Sequence, residues 1–304
     1  MEPGWWFGVG PVRTAVIAIF GPTASGKTAV AEAVADRLDG ELVSADAMQV
    51  YRGLPVLANQ PARPTRLVAV WPLDHEASVA EYQSLAHEAI DDAITAGRTP
   101  IVVGGTGLYL RAALADIAFP PAPDPAAREH FERLYDRLGP ERAHELLAER
   151  DPAAAARLHA NDRRRVVRAL ELREAGESLA PDRDDLWADE MRHPTVVFGL
   201  DVPREVLTER IAERTRSMFE RGAEEEARAA LAGRISATAR HIIGLRELDG
   251  LPREEAIAAL EQRTRRYAAY QRKWMRRIPG LIALDGTRPA GEVADEIASS
   301  VARR

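Results

Sequence analysis

Ala15-Val16-Ile17-Ala18-Ile19-Phe20-Gly21-Pro22-Thr23-Ala24-Ser25-Gly26-Lys27-Thr28 is the stretch whose reading decides the fold. An apolar run suited to one buried strand leads into a loop with glycine at both ends and Lys-Thr behind the second, the strand, loop and helix start of a P-loop. Such a loop holds a phosphate chain. Its glycines let backbone N–H groups close on phosphate oxygens, Lys27 supplies a point charge, the Thr28 hydroxyl can ligate Mg²⁺, and the following helix turns its positive end inward. Gly21, Thr23, Ala24, Ser25, Gly26, Lys27 and Thr28 are therefore the phosphate-holding candidates. The chain otherwise builds on arginine, and its only lysines are Lys27 and Lys273.

Outward from the loop, strand and helix patterns alternate. Residues 29–38 are an alanine-rich helix, and Glu41-Leu42-Val43-Ser44-Ala45-Asp46 reads as a second strand that delivers Asp46 at its carboxyl end. Residues 67–71 read as a third. Ser78 followed by Glu81 is a capping box opening a helix toward Gly97, and Pro100-Ile101-Val102-Val103 is a buried strand ending in Gly104-Gly105-Thr106-Gly107. Short apolar strands separated by helices predict an α/β fold with a parallel sheet, whose ligands gather at the carboxyl ends of strands. Gly21, Asp46 and Thr106 all lie at such ends. From about residue 120 to 194 the pattern changes to charged helices punctuated by Pro123, Gly139-Pro140, Asp151-Pro152, Gly176 and Pro181. This predicts an all-helical subdomain inserted into a P-loop core made of 13–119 and 195–304. The core resumes with a strand at 195–200, helices at 204–221, 224–231 and 253–277, and a short strand at 281–284.

Composition narrows the function classes. A chain of 304 residues that is 46% hydrophobic can bury a full core. No apolar stretch approaches the roughly eighteen residues of a membrane span, and the opening Met1-Glu2-Pro3-Gly4-Trp5-Trp6 lacks the basic flank and apolar centre of a signal peptide. The absence of cysteine excludes disulfides, thiolate metal sites and a cysteine nucleophile. These features together predict a soluble, cytoplasmic protein. A net charge of -6 argues against indiscriminate coating of nucleic acid, although it averages over local basic stretches.

Two such stretches stand out. Residues 263–277 contain Arg263, Arg265, Arg266, Arg272, Lys273, Arg276 and Arg277 with no acid, interleaved with Tyr267, Tyr270 and Trp274. That is an RNA-binding texture, or equally a solvated helix face whose aromatics enter the core. Asn161-Asp162-Arg163-Arg164-Arg165, with Arg157 and Arg168, forms a second cluster in the insertion. P-loop hydrolases place an Asp at the end of a buried strand to organise Mg²⁺, whereas here the best candidate strand ends in Gly-Gly-Thr, which argues against a motor or switch. Asp46 can accept the proton of an attacking group or cap a turn; its place at the ligand edge favours the proton.

These residues closely resemble the tRNA dimethylallyltransferases, also called tRNA isopentenyltransferases. The matching segments are the loop at 21–28, Ser44-Ala45-Asp46 with Gln49-Val50-Tyr51-Arg52-Gly53, and Val103-Gly104-Gly105-Thr106-Gly107-Leu108-Tyr109-Leu110. Asp151-Pro152, His159-Ala160-Asn161-Asp162, Arg168-Ala169-Leu170-Glu171, Arg210-Ile211 with Arg214, Ile243-Gly244-Leu245-Arg246-Glu247-Leu248, and Thr264-Arg265-Arg266-Tyr267-Ala268 with Gln271 and Trp274 extend the match almost end to end. The resemblance implies transfer of a dimethylallyl group from its diphosphate to N6 of adenine 37 beside the tRNA anticodon, releasing diphosphate. It makes the loop a diphosphate site with Mg²⁺ as cofactor on Thr28, and Asp46, Thr106 and Arg214 the catalytic residues. Asp46, Ala47, Met48, Gln49 and Thr106 would meet a flipped adenine, while Arg128, Asn161, Asp162, Arg163, Arg164, Arg165 and Arg168 would grip the anticodon stem-loop. A monomer is expected.

The chain departs from the family pattern after Gly53, where Val56-Leu57-Ala58-Asn59-Gln60-Pro61 stands in place of a Gly-Thr-Ala-Lys-Pro-like turn and brings no lysine. The paired histidines usual before the next helix are replaced around Trp71-Pro72-Leu73-Asp74, Leu245 stands where tyrosine is expected, and the insertion is short. Prenylation of a free adenine nucleotide needs no anticodon clamp; the loop and Asp46 alone also suit a small-molecule kinase, and the basic stretches alone a non-catalytic RNA-binding module.

Overall fold

Val16–Phe20 (β1) is buried at every position, as an unbroken apolar strand covered on both faces should be. It sits at the centre of a five-stranded parallel sheet of order β2-β3-β1-β4-β5, with Gly40–Ser44 (β2), Thr99–Gly104 (β3), Thr195–Asp201 (β4) and Ile282–Asp285 (β5). These elements come from a computed structural model, which describes residues 16–122, 124–180, 186 and 188–303. The opening six residues, Ala15, Pro123 and Pro181, all drawn on above, lie outside the described residues, as do positions 13–14.

The chain moves from β1 to β2 and then back to β3. Because parallel crossovers are right-handed, this reversal sends successive helices to opposite faces of the sheet. Lys27–Leu38 (α1) and the last helix, Ala290–Ala302 (α11), cover one face through Val30, Val34, Val293 and Ile297 packed on Ile17, Ile19, Ile101 and Phe198. Val79–Thr95 (α2) and Gly107–Leu114 (α3) pack on each other and against β3. The register pairs Phe20 with Gly104 and Gly199, so the carboxyl ends of β1 and β3 finish level, β4 runs two residues further, and the loops that follow share one edge. No helix among the described residues is long and apolar enough to cross a membrane.

Residues 67–71 do not form the expected strand. Leu67 and Ala69 adopt left-handed φ values of 63° and 54°, which an extended strand cannot contain. Only Arg66 reaches the sheet edge, pairing with Val43, and the chain then folds back so that the Ala69 and Val70 amides donate to the Gln49 and Val50 carbonyls at 2.8 and 2.7 Å. The capping box forms by half. Ser78 accepts from the Glu81 amide at 3.1 Å, while the Glu81 carboxylate turns instead to His75 at 2.9 Å.

Residues Ala118–Leu186 form a compact unit of their own. Its helices are Pro125–Leu138 (α4), Pro140–Arg150 (α5), Pro152–Ala155 (α6) and Arg163–Glu174 (α7), around Phe131, Tyr135, Leu147, Val166 and Leu170. Of the proline punctuation within the described residues, Pro140 and Pro152 mark helix starts, and Pro125 marks another. Asp124, Asp151 and Asp162 each accept an amide hydrogen bond from the first turn behind them, and proline at the first helical position has no N–H to leave unpaired. The second part of the core carries Arg204–Glu220 (α8), Ala223–Leu231 (α9) and Arg253–Met275 (α10); α10 packs against α8 and α3.

Candidate active site

Three loops leave the shared sheet edge: 21–28 after β1, 45–49 after β2 and 104–107 after β3. Gly26, at φ 87°, is the left-handed turn into α1, and no side chain caps that helix, so its first amides remain to meet an anion. The β2 and β3 loops are joined through Thr106, whose hydroxyl oxygen accepts from the Ala47 amide at 3.1 Å. Gly105 and Gly107 make room for α10. A Cβ at Gly105 would stand 2.2 Å from the Gln271 amide nitrogen, and one at Gly107 would stand 2.1 Å from the Trp274 ring. The strand end that lacks an acid thus serves as the seat of a helix.

Gln271 is the joint. It is 1% exposed, accepts from the Thr23 amide at 2.7 Å and donates to the Gly105 carbonyl at 2.9 Å, tying the 21–28 loop to the β3 loop. Replacing Gln271 by Ala strands two buried backbone groups, each worth roughly 1–3 kcal/mol, so an equilibrium urea melt should show a loss of about 2–4 kcal/mol. A loss below about 1 kcal/mol would contradict this joint.

Around the joint lies a cleft of about 580 Å³, counting its open mouth, lined by Thr23, Lys27, Thr28, Asp46, Met48, Gln49, Leu57, Ala58, Asn59, Arg214, Met218, Ile243, Leu260, Thr264 and Tyr267. Its charges do not balance. Burial draws the Lys27 ammonium down to about 8 from its ordinary value, against the opposing pull of Asp46, and Arg214 lowers it further. Burial likewise lowers the Arg214 guanidinium, which donates to the Thr23 hydroxyl at 2.6 Å. Two enclosed cations face one carboxylate. In addition, the Arg214 Nε and the Ser25 hydroxyl are buried without a hydrogen-bond partner among the described residues. Buried cations and donors left in this state are stabilised by an anion that brings both charge and acceptors.

Asp46 performs the turn-capping role as well as facing the cleft. One carboxylate oxygen accepts from the Met48 amide at 3.0 Å, and the other accepts no hydrogen bond among the described residues. Thr106 also meets the Tyr267 hydroxyl at 3.2 Å. Burial, followed by the Asp46 charge, raises Tyr267 far above its ordinary range and keeps its proton on. Thr28 lines the cleft, and its hydroxyl makes no side-chain hydrogen bond among the described residues. Among the described residues no group of three His, Cys, Asp or Glu could hold a metal.

Of the candidate base-reading residues, Ala47 and Met48 are held by their amides as described. The Gln49 side chain is already engaged, accepting from the Ser44 hydroxyl at 2.8 Å and donating to the Asn59 carbonyl at 3.0 Å. In the helical unit, four of the candidate arginines are paired, Arg165 only through an ion pair with Asp162. Arg163 forks onto Asp136 with both contacts at 2.8 Å, Arg168 binds Glu171 and the Pro121 carbonyl, and Arg128 meets Glu132 at 3.3 Å. Asp162 caps α7, Arg165 lies 3.7 Å from it, and Asn161 and Arg164 are exposed.

The basic stretch on α10 divides between both readings of its texture. Thr264, Tyr267, Gln271 and Trp274 follow helical spacing into the core and site, while Arg266, Tyr270 and Lys273 face outward, Tyr270 with 52% of its surface exposed. Sequence reading took Tyr267 only as an aromatic of the basic stretch and gave no role to Gln271, nor to Leu57, Met218, Ile243, Leu260 and Thr264 in the cleft wall. The available signal was polar Thr264 and Gln271 on the otherwise apolar face of Ala256, Leu260, Ala268 and Met275.

The family described as IPP transferase matches residues 49–278, and that described as isopentenyl transferase matches 14–66. A tRNA dimethylallyltransferase of Salinispora arenicola is 40% identical over 295 residues, covering 93% of this chain and 85% of the relative. The crystal structure of a tRNA isopentenylpyrophosphate transferase from Bacillus halodurans superposes with a TM-score of 0.68 at 32% identity, covering 96% of this chain and 98% of that one. A eukaryotic dimethylallyltransferase acting on tRNA shares the fold, with a TM-score of 0.74 at 24% identity, covering 95% of this chain and 80% of that one.

Proposed function

The chain belongs to the IPP transferase family and is a tRNA-prenylating enzyme, and from that premise we propose that it moves the dimethylallyl group of dimethylallyl diphosphate to N6 of adenosine 37 in tRNA, releasing diphosphate. The observation that carries this reading is the pair of enclosed cations, Lys27 and Arg214, beside the orphaned Ser25 hydroxyl and Arg214 Nε at the end of a glycine loop.

In the reaction the allylic C–O bond breaks and its electron pair leaves on the diphosphate, while the adenine nitrogen forms the new N–C bond and gives up a proton. The loop amides, Lys27 and Arg214 hold the charge that grows on the leaving oxygen. Asp46 takes the proton through the oxygen that does not cap the turn. With Tyr267 donating to Thr106, the Thr106 hydroxyl keeps its own proton to orient a substrate group. Met48, Leu57, Met218, Ile243 and Leu260 supply the apolar lining that a five-carbon chain requires. An adenine in a stacked helix cannot enter such a cleft, so the base is taken flipped out of its stack.

The cleft also fits Mg²⁺, a hard cation that takes one or two protein oxygens and completes its shell with phosphate and water. Thr28 would hold it, and when bound it would neutralise charge on the diphosphate. We assign the cytoplasm as the place of action, since the substrate is tRNA, and a monomer as the working unit.

Incubating the protein with dimethylallyl diphosphate, Mg²⁺ and tRNA carrying A36-A37 should yield isopentenyladenosine by mass spectrometry of nucleosides. No product from any such tRNA, or preference for AMP in direct competition, would overturn the assignment. On the helical unit, Arg128, Arg163 and Arg168 are paired and Arg165 makes a 3.7 Å ion pair with Asp162, which leaves Arg164 to meet RNA phosphates. Arg164→Ala should weaken tRNA binding and flatten its log–log salt dependence by about one phosphate contact, with turnover at saturating tRNA retained. Filter binding from low to high salt checks this, and an unchanged slope would count against a phosphate contact.

A further inference from the structure

The cleft wall at residues 55–60, where the family's lysine-bearing turn is replaced, is held by an acid from a distant helix. The segment winds as a short stack of turns, with the Ala58 amide donating to Leu54, Asn59 to Val56 and Gln60 to Pro55 at 2.9, 3.1 and 3.0 Å. The leading amides of such a stack have no partner within it. Glu226 on α9 supplies both acceptors, taking the Val56 amide at 2.8 Å on one carboxylate oxygen and the Leu57 amide at 2.6 Å on the other.

The opposite end of the stack is tied to the β2 loop. Gln60 donates to the Tyr51 and Gln49 carbonyls at 2.7 and 3.2 Å, and Gln49 donates to the Asn59 carbonyl. Between the two ties Leu57, Ala58 and Asn59 face the cleft. Leu57 is buried and lies on Gly244, where a Cβ would come within 2.6 Å of the leucine methyl. The leucine methyl therefore packs directly on the Gly244 backbone.

We infer that Glu226 is a positioning residue that holds the 55–60 turn against the cleft, so that Leu57 forms a fixed wall limiting the length of prenyl chain accepted. This rests on the reading of the cleft as a prenyl diphosphate site. Glu226 touches no substrate and acts only through two backbone amides, so its loss lets the wall move without removing any group that handles the diphosphate or the adenine. Val56 and Leu57 keep their place in the chain. What changes is the depth of the apolar space.

The test compares dimethylallyl diphosphate with the ten-carbon geranyl diphosphate on one tRNA, for the wild type, Glu226→Gln, Glu226→Ala and Leu57→Ala. Glu226→Ala should raise KM for the five-carbon donor severalfold, leave kcat and tRNA affinity within about twofold, and lower the five- to ten-carbon ratio of kcat/KM about tenfold. Glu226→Gln retains one acceptor oxygen and should fall between wild type and Glu226→Ala. Leu57→Ala should also lower the ratio, and adding it to Glu226→Ala should give much less than the product of the single effects. A folded Glu226→Ala with an unchanged ratio overturns the inference, as does a loss confined to kcat. Should Glu226→Ala not fold, Glu226→Gln decides: a wild-type ratio there, with Leu57→Ala altered, overturns it equally. A wild type that transfers nothing from either donor overturns the reading of the cleft, and the role of Glu226 with it.

Discussion

Asp46→Ala is expected to lower kcat by about a hundredfold or more while tRNA affinity stays within about twofold. The basis is the division of labour between the two carboxylate oxygens, one capping the turn at Met48 and the other facing the cleft between Lys27, Arg214 and Tyr267. Alanine removes both functions at once, so Asp46→Asn is the informative partner. Asparagine keeps an acceptor for the Met48 amide but cannot take a proton from the adenine amine. If Asp46 acts as the base, single-turnover assays should find Asn nearly as slow as Ala. Recovery of most of the rate by Asn would show that the residue only shapes the loop.

Lys27→Met should reduce turnover by about 10²–10³, the usual effect of deleting one preorganised charge from a site where anionic charge develops. A second readout comes from pH. In the ligand-free protein burial draws Lys27 down to about 8, so it is charged below that pH and neutral above it. A bound diphosphate supplies the opposite charge and raises it again. Binding of a non-reactive prenyl diphosphate analogue should therefore be tightest below pH 8 and weaken by up to tenfold per pH unit above it, the mark of about one linked proton. Calorimetric titrations from pH 7 to 10 in buffers of different ionisation enthalpy measure this directly. In Lys27→Met that part of the pH dependence should vanish. The ligand-free variant should also melt higher than wild type at neutral pH, because the desolvated ammonium has gone. A Lys27→Met protein whose analogue affinity keeps the same pH dependence would disprove the assignment.

Much of the core was legible because its signals are local. A left-handed glycine before α1, aspartates and prolines at helix starts, and apolar runs of strand length act through backbone geometry within a few residues. The resemblance to tRNA dimethylallyltransferases rested on the same kind of short segments, and the family match bears it out. The same local reading failed at 67–71. There a β-branched, apolar run imitates a strand, but two left-handed residues fold it back on 49–52, and nothing in its hydropathy reports that.

What the chain's order of residues settles without help is the list of parts: a glycine-rich loop, strand ends carrying Asp46 and Thr106, a charged helical insertion and a basic helix near the C-terminus. What needed the folded chain is which parts meet. Thr23 finds Gln271 at a separation of 248 residues, Val56 finds Glu226 at 170, and Thr106 finds Tyr267 at 161. The same holds for charge, since Arg163 looks free for RNA in the sequence until Asp136 on the neighbouring helix takes its fork. A turn or cap follows from the torsions of a few neighbouring bonds, whereas a hydrogen bond between distant residues exists only after the sheet order and helix packing have brought them together.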